Sequence, residues 1–262
     1  MVRGLDLFKE YFRGFQESYI LIGGAAVDTW MEEVDLRFRA TNDLDIILVI
    51  EALDKAFVDH LWKFIEEGKY QTKENSSGEP KVYRFIKPVD EHFPYQLEFF
   101  SRLPDILGDF EGAHLTPIPL GEDVASLSAI LMNDEYYEFA RNNAEIVDGL
   151  HLLNTPALIC LKAKAFLDIK GRLERQEWKT PNERNKLRDD YKKHRADVIR
   201  IALILTEEDK IKLEDSMKVG ILLYLEAVKS DPPDFKQLAK NFDITEINPE
   251  EVFEQLQTTF GL

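Results

Sequence analysis

Three things are scarce in this chain of 262 residues: cysteine, long apolar runs, and positive charge relative to negative charge. The single cysteine, Cys160, excludes an internal disulfide and is typical of a protein from a reducing compartment. No apolar run in the sequence is long enough to cross a bilayer, so no membrane association is expected. We therefore expect a cytoplasmic protein, and the hydrophobic content of 44% with 31% charged residues is that of a globular fold.

The shortage of positive charge restricts the class of partner. The chain has 49 acidic residues against 33 Lys and Arg, which gives a formal net charge of −16 at pH 7. A general nucleic-acid binder is usually basic, because counterion release supplies most of its affinity. Any contact with RNA would therefore need a local basic patch, and the best candidate in the sequence is Lys192, Lys193 and Arg195. A small molecule or a protein is the alternative partner.

The most informative segment begins at an apolar strand predicted over residues 19–22. Gly23 and Gly24 follow it directly, and a helix is predicted over residues 25–34. A backbone without Cβ allows a phosphate to approach closely, and the N-terminus of a helix favours anions. The pattern therefore predicts a phosphate-binding turn between the strand and the helix.

Two acidic residues open the next predicted strand, which continues to residue 50. Asp43 and Asp45 are two positions apart, so their side chains project from the same face of a strand. Two carboxylates at this spacing repel each other, and a divalent cation is the usual compensation. The phosphate-binding turn and the acid pair together favour metal-assisted chemistry on a nucleotide.

The remaining hydrophobic pattern predicts further strands first and helices later. In the N-terminal part we expect a helix packing over 5–16, another helix over 53–66, a polar loop over 71–80, strands over 81–87, 95–102, 126–132 and 145–153, and a solvated acidic turn near 134–141. In the C-terminal part we expect helices over 155–177 and 185–205, a third helix starting at 206–209, and two short amphipathic segments after residue 233.

The order GG, spacer, DxD resembles the nucleotidyltransferase superfamily of the DNA polymerase β type. In more detail the chain resembles the AbiEii-like abortive-infection toxins, whose R-x-T-x-D-x-D run matches RATNDLD at residues 39–45. The resemblance covers the first hundred residues and roughly residues 155–200. It implies an α+β fold with a polymerase-β-like core, a mixed sheet with packing helices. A nucleotidyltransferase catalytic domain is thus predicted over 1–154, and a helical domain that completes the active site and selects the acceptor over 155–262.

Glu98 is a lone acid among large apolar side chains in its predicted strand. Burying a carboxylate there is costly unless another group pairs with it. The resemblance matches Glu98 to a third carboxylate that completes the metal site. The alternative is an acid on an edge strand that faces solvent.

Two lysines lie in the apolar first helix of the C-terminal half. Lys162 and Lys164 each need an anionic partner or an exit to solvent, since Lys is rarely buried. They are ~200° apart around a helix, so only one of them is expected to face the site. The resemblance favours Lys162 as the group that neutralises triphosphate charge, and a surface lysine is the alternative.

Asp197 follows the basic residues of a later helix. In the resembled families the last Asp of this segment is catalytic, and Asp197 matches it, although the charged segment over 172–191 is longer than in those families. A carboxylate at this place would accept or orient the proton of the acceptor hydroxyl. The alternative is that Asp197 pairs with Arg200 or Lys193 on the helix surface.

The resemblance thus implies an enzyme that moves a nucleoside monophosphate from an NTP to an acceptor hydroxyl with two Mg²⁺ (or Mn²⁺) ions. Transfer to tRNA and opposition by a separate antitoxin are what toxin-like relatives imply. The metal ligands would be Asp43, Asp45 and Glu98, the other catalytic residues Lys162 and Asp197, and the nucleotide-binding residues Gly23, Gly24, Arg39, Thr41 and Lys164.

Other interpretations of the motif remain open. An aminoglycoside-type antibiotic nucleotidyltransferase would share the same core, and an acidic protein would attract a cationic acceptor. A non-catalytic module of a toxin–antitoxin pair that binds NTP or a partner is a further alternative, as is a purely structural strand and turn. The sequence lacks the patterns of an EF-hand, a dinucleotide-binding Rossmann fold and a P-loop at these positions.

Overall fold

The computed structural model describes residues 2–74, 80–101, 133–242 and 244–262. The chain is α+β and divides into two compact units. One unit contains Met1–Thr29 and Arg39–Leu153, and the other contains Trp30–Phe38 and Asn154–Leu262. The strand predicted over 126–132 lies outside the described residues.

The first unit contains a mixed sheet in which seven strands are described. Their bounds are Tyr19–Ile22 (β1), Asp43–Leu48 (β2), Gln71–Glu74 (β3), Pro80–Ile86 (β4), Gln96–Phe100 (β5), Ala144–Val147 (β6) and Leu150–Leu153 (β7). The spatial order is β3-β4-β5-β2-β1-β7-β6. β2 is parallel to β5 and β1 is parallel to β7, whereas the other neighbours are antiparallel. β2 is therefore a central strand, and its Leu44, Ile46 and Leu48 are fully buried.

The helices described before residue 150 are Leu5–Tyr11 (α1), Gly23–Glu32 (α2), Lys55–Gly68 (α3) and Asp134–Asn142 (α4). An aromatic cluster joins α1 and α3 to β1. The ring of Phe8 lies 5.2 Å from that of Tyr19 and 6.1 Å from that of Phe64, and Phe12 lies 5.3 Å from Phe64. Edge-to-face pairs of this kind add about 0.5–1.5 kcal/mol each beyond the area that they bury.

The segment predicted as one strand over 145–153 is a β-hairpin. Asp148 and Gly149 have φ values of +47° and +77°, and Val147 pairs with Leu150 across the turn. Positive φ at both central residues is the geometry of a type I′ turn, which Asp-Gly favours. The prediction of a single strand was wrong, because the Asp-Gly dipeptide was not taken as a turn.

The acidic segment predicted as a solvated turn is helix α4. The Asn133 side chain accepts a hydrogen bond from the backbone N–H of Glu135 at 2.8 Å and so caps the helix. Tyr136, Tyr137 and Ala140 are buried on one face. The polar loop predicted over 71–80 is also wrong at its two ends, which belong to β3 and β4.

The helices that the structure describes after residue 153 are Thr155–Glu174 (α5), Pro181–Ala202 (α6), Asp215–Ser230 (α7), Phe235–Asn241 (α8) and Pro249–Phe260 (α9). α5 packs against α6 and α7. Phe166 of α5 joins these contacts, with its ring 4.8 Å from that of Tyr191 and 5.3 Å from that of Tyr224. None of the described helices is long and apolar enough to span a membrane.

Two helix starts differ from the sequence predictions. The helix predicted to start at residue 185 is α6, which begins at Pro181, since the side chain of Thr180 accepts a hydrogen bond from the backbone N–H of Glu183 at 3.2 Å. The helix predicted to start at 206–209 is absent there. Asp209 instead accepts hydrogen bonds from the backbone N–H and the hydroxyl of Thr206 at 2.6 and 2.8 Å, which closes a turn.

Cys160 on α5 provides a test of the packing of this unit. The thiol is buried, and burial raises its pKa well above the ordinary value, so little thiolate forms near neutral pH. We expect labelling of native Cys160 by a disulfide reagent at pH 8 to be slower than in denaturant by about a thousandfold or more, because the helix must first open. Equal rates in the two conditions would contradict the buried position.

Candidate functional site

The predicted acid pair lies on the central strand of the sheet. Asp43 and Asp45 are half-buried and alternate with the buried Leu44 and Ile46, so the two carboxylates share one face of β2. Asp45 has one register partner on each adjacent strand: it is opposite Ile22 of β1 and opposite Glu98 of β5. Residues directly opposite each other on adjacent strands project from the same face of the sheet. Asp43, Asp45 and Glu98 therefore belong to one face.

The glycine turn lies against this face. Gly23 has φ of +67°, and a Cβ built on it would be 2.0 Å from Oδ2 of Asp45. A Cβ on Gly24 would be 2.8 Å from Oγ1 of Thr41, in the loop before β2. Both glycines are thus required by close approach, and Gly23 also by its left-handed backbone. The structure brings Gly23, Gly24, Thr41 and Asp45 together.

Substitution of Gly23 tests this arrangement. Gly23→Ala is expected to destabilise the protein by at least about 1–2 kcal/mol, the cost of a left-handed backbone at a residue with a side chain. It should also displace the Asp45 carboxylate. Thermal and denaturant unfolding would measure the loss.

Gly220 of α7 is the matched control. A Cβ at Gly220 meets no atom within 4 Å, so Gly220→Ala should stabilise the protein by about 0.5–1 kcal/mol, as in any open helix interior. If both substitutions had the same effect, the close contact between Gly23 and Asp45 would be wrong.

Glu98 has a protein partner that the sequence analysis missed. Arg84 of β4 is opposite Glu98, and its Nη2 donates a hydrogen bond to Oε1 of that carboxylate. Gln96 Nε2 donates to the other oxygen at 3.3 Å. The side chains of Arg84 and Glu98 are 17% and 12% exposed, so the acid does not face solvent as the alternative supposed. In the sequence Arg84 stands between two aromatic residues, Tyr83 and Phe85, but this pattern does not indicate Glu98 as its partner.

Asp43 and Asp45 are suited to Mg²⁺, which prefers carboxylate oxygen and is commonly held by one or two carboxylates together with substrate phosphates. Among the described residues, no three His, Cys, Asp or Glu side chains form a group that would hold a metal ion. The carboxylate of Glu98 instead accepts hydrogen bonds from Arg84 and Gln96. Asp43 and Asp45 are therefore the two carboxylates on this face that could hold a divalent cation. Arg39 is half-buried in the loop before β2.

In the second unit, the structure brings Lys162 and Asp197 together. Lys162 Nζ lies 3.1 Å from Oδ2 of Asp197, and Arg200 Nη1 lies 2.8 Å from Oδ1. Asp197 is fully buried and Lys162 is 7% exposed. Asp197 is therefore neither on the helix surface nor paired with one cation only. Two cationic side chains thus contact the carboxylate of Asp197.

Two further basic residues, Lys164 and Arg195, have partners of their own. Lys164 Nζ lies 2.9 Å from Asp168, one helical turn away, with both side chains about one-third exposed. Arg195 donates to the carboxylate of Asp231 and to its carbonyl oxygen, so this member of the candidate basic patch is bound within the unit. Lys164, for which a nucleotide-binding role was predicted, is thus paired with a neighbour on its own helix.

A cleft of about 590 Å³ lies beyond the opposite end of β2 from the acid pair. Glu51 lines it and accepts hydrogen bonds from Tyr137 at 2.7 Å and Arg141 at 3.0 Å. Burial favours the neutral acid, but these partners hold the pKa of Glu51 below its ordinary value. None of the predicted site residues lines this cleft.

Comparison of the chain with protein-family models, curated proteins and solved structures gave no match.

Proposed function

We propose that the chain is a nucleotidyltransferase that moves a nucleoside monophosphate from an NTP to an acceptor hydroxyl. The observation that carries the proposal is the close packing of the Gly23 turn on Asp45, with Asp43 on the same face and Glu98 opposite Asp45 on the adjacent strand. This combination supports a site that holds phosphates and a divalent cation side by side.

The reaction transfers one nucleotidyl group. The acceptor oxygen attacks the α-phosphorus of the NTP, the bond from that phosphorus to the bridging oxygen of the β-phosphate breaks, and pyrophosphate leaves. The acceptor proton is released to water. Bound Mg²⁺ would supply charge stabilisation of the triphosphate, and Asp43 and Asp45 would hold it. The turn at Gly23 and Gly24 would receive phosphate oxygens, and Arg39 would offset their charge.

The acidic net charge favours an acceptor that is not a long nucleic acid. A small cationic acceptor such as an aminoglycoside-like antibiotic would be attracted by a chain of net charge −16, whereas RNA would be repelled outside a local patch. Transfer to tRNA remains the expectation from the toxin-like motif run at residues 39–45.

The deciding experiment supplies α-labelled NTPs, one base at a time, with Mg²⁺ and total tRNA. Parallel reactions contain an aminoglycoside mixture or no acceptor. Label on tRNA that requires Asp45 identifies an RNA nucleotidyltransferase, and label on the antibiotic identifies the alternative. No label on any acceptor, together with no Mg²⁺-dependent NTP binding, would overturn the proposal and leave a structural strand and turn.

A further inference from the structure

Glu98 lies in the middle of a row of three residues that crosses the sheet. Arg84 on β4 is opposite Glu98 on β5, and Glu98 is opposite Asp45 on β2. All three side chains project from the face that carries the acid pair. The row therefore places Arg84 next to Glu98, on the side away from Asp45. Glu98 is the carboxylate that would complete the proposed metal site.

Arg84 neutralises Glu98 within the protein. Its Nη2 donates to one carboxylate oxygen, while Gln96 donates to the other, and both charged side chains are largely buried. Charges that are screened little by water interact strongly at this range. A divalent cation next to Asp45 would thus be attracted by Asp43 and Asp45, while the attraction of Glu98 is cancelled by Arg84.

The guanidinium of Arg84 is only partly satisfied. Its Nε is buried and has no hydrogen-bond partner within the described residues. Leaving a buried N–H donor without a partner lowers stability. If the Arg84–Glu98 pair served stability alone, the Nε–H would be expected to donate a hydrogen bond as well. The free Nε–H is a donor suited to an anionic oxygen, and guanidinium groups bind phosphate and carboxylate with comparable geometry.

We propose that Arg84 is an internal counter-cation that keeps Glu98 out of the metal site until a nucleotide phosphate competes for the guanidinium. This inference rests on the proposed function for the identity of the phosphate. Arg84 is a positioning residue, since it acts on the metal through Glu98. Metal and nucleotide would then bind together, because phosphate removes Arg84 from Glu98 and frees Glu98 for the cation.

The test measures the binding of Mn²⁺ to the protein without nucleotide. Electron paramagnetic resonance gives the concentration of Mn²⁺ that stays free in solution. Arg84→Met removes the cation and keeps most of the side-chain volume. We expect the Mn²⁺ affinity of this variant to rise by about tenfold or more over that of the unmodified protein, since Glu98 becomes available. Arg84→Lys keeps the charge and should leave the affinity unchanged within about threefold.

The double variant Arg84→Met, Glu98→Gln makes the test decisive even if Arg84→Met alone does not fold. Removing both members of a buried ion pair is tolerated far better than removing one. Because the pair is closed in the proposed state, the double variant should bind Mn²⁺ as the unmodified protein does. A tenfold or greater loss would show that Glu98 already binds the cation while paired, and would overturn the inference.

An unchanged or weaker Mn²⁺ affinity in Arg84→Met would also overturn it, as would the absence of Mn²⁺ binding in both proteins. A purely structural Arg84 would change the free energy of unfolding and not the Mn²⁺ affinity. Failure of the proposed function is seen separately, as absence of nucleotidyl transfer by the unmodified protein.

Discussion

Asp45→Asn is expected to lower kcat/KM for nucleotidyl transfer by about a thousandfold or more. Asn has nearly the volume of Asp, so the side chain still fits against Gly23, but the negative charge that would hold Mg²⁺ is lost. Loss of a metal ligand removes several kcal/mol of transition-state stabilisation, and about 4 kcal/mol corresponds to a thousandfold. Asp43→Asn should act in the same direction.

Asp59→Asn is the matched control for this effect. Asp59 is on the surface of α3, is 60% exposed, and pairs only weakly with Lys55 at 3.3 Å, one turn away. Its replacement should leave kcat/KM unchanged. If Asp45→Asn retained activity within about tenfold of the unmodified protein, the metal-binding role of Asp45 would be wrong.

Asp197→Asn is expected to lower the free energy of unfolding by about 3–5 kcal/mol. The substitution removes the charged carboxylate that contacts both Lys162 and Arg200, and breaking a buried pair in this way costs about that much. Lys162→Met should cost less, because Asp197 then keeps Arg200. Urea denaturation gives both values, and the labelling rate of Cys160 reports opening of the same unit.

Lys164→Met provides the control on the same helix. The Lys164–Asp168 pair is about one-third exposed, so its loss should change stability by no more than about 0.5 kcal/mol. A cost below about 1 kcal/mol for Asp197→Asn, together with a large loss of transfer activity, would favour the catalytic role over the structural one. Activity of each variant must be measured at a temperature where it is folded.

The strand β1, the helix that follows its two glycines and the start of β2 could be predicted from local pattern, although α2 already begins at Gly23. An unbroken apolar run predicts a buried strand, and two glycines followed by alanines predict a change from strand to helix. The hairpin at Asp148 and Gly149 and the caps at Asn133 and Thr180 also had local signals. The hairpin was missed because its two strands were predicted as one, and the helix after Asn133 was missed because its acidic residues suggested a solvated turn.

The partners in the candidate site were harder to predict. Nothing local indicates that β4 lies next to β5, so Arg84 could not be paired with Glu98 before the strand order was known. Asp197 is similar, since its partner Lys162 is 35 positions away on another helix. Ion pairs across elements depend on tertiary packing, which sequence spacing alone does not give.

The second unit consists of two segments that are distant in the chain, which affects the order in which it folds. Trp30–Phe38 leaves the ribosome early, but the rest of its unit begins at Asn154. Translation of the roughly one hundred intervening residues takes on the order of ten seconds at typical rates. The early segment cannot make its contacts within this unit before Asn154 and the residues after it have been synthesised. A fragment starting at Asn154 would lack Trp30–Phe38, and the later helices expressed alone should therefore fold incompletely.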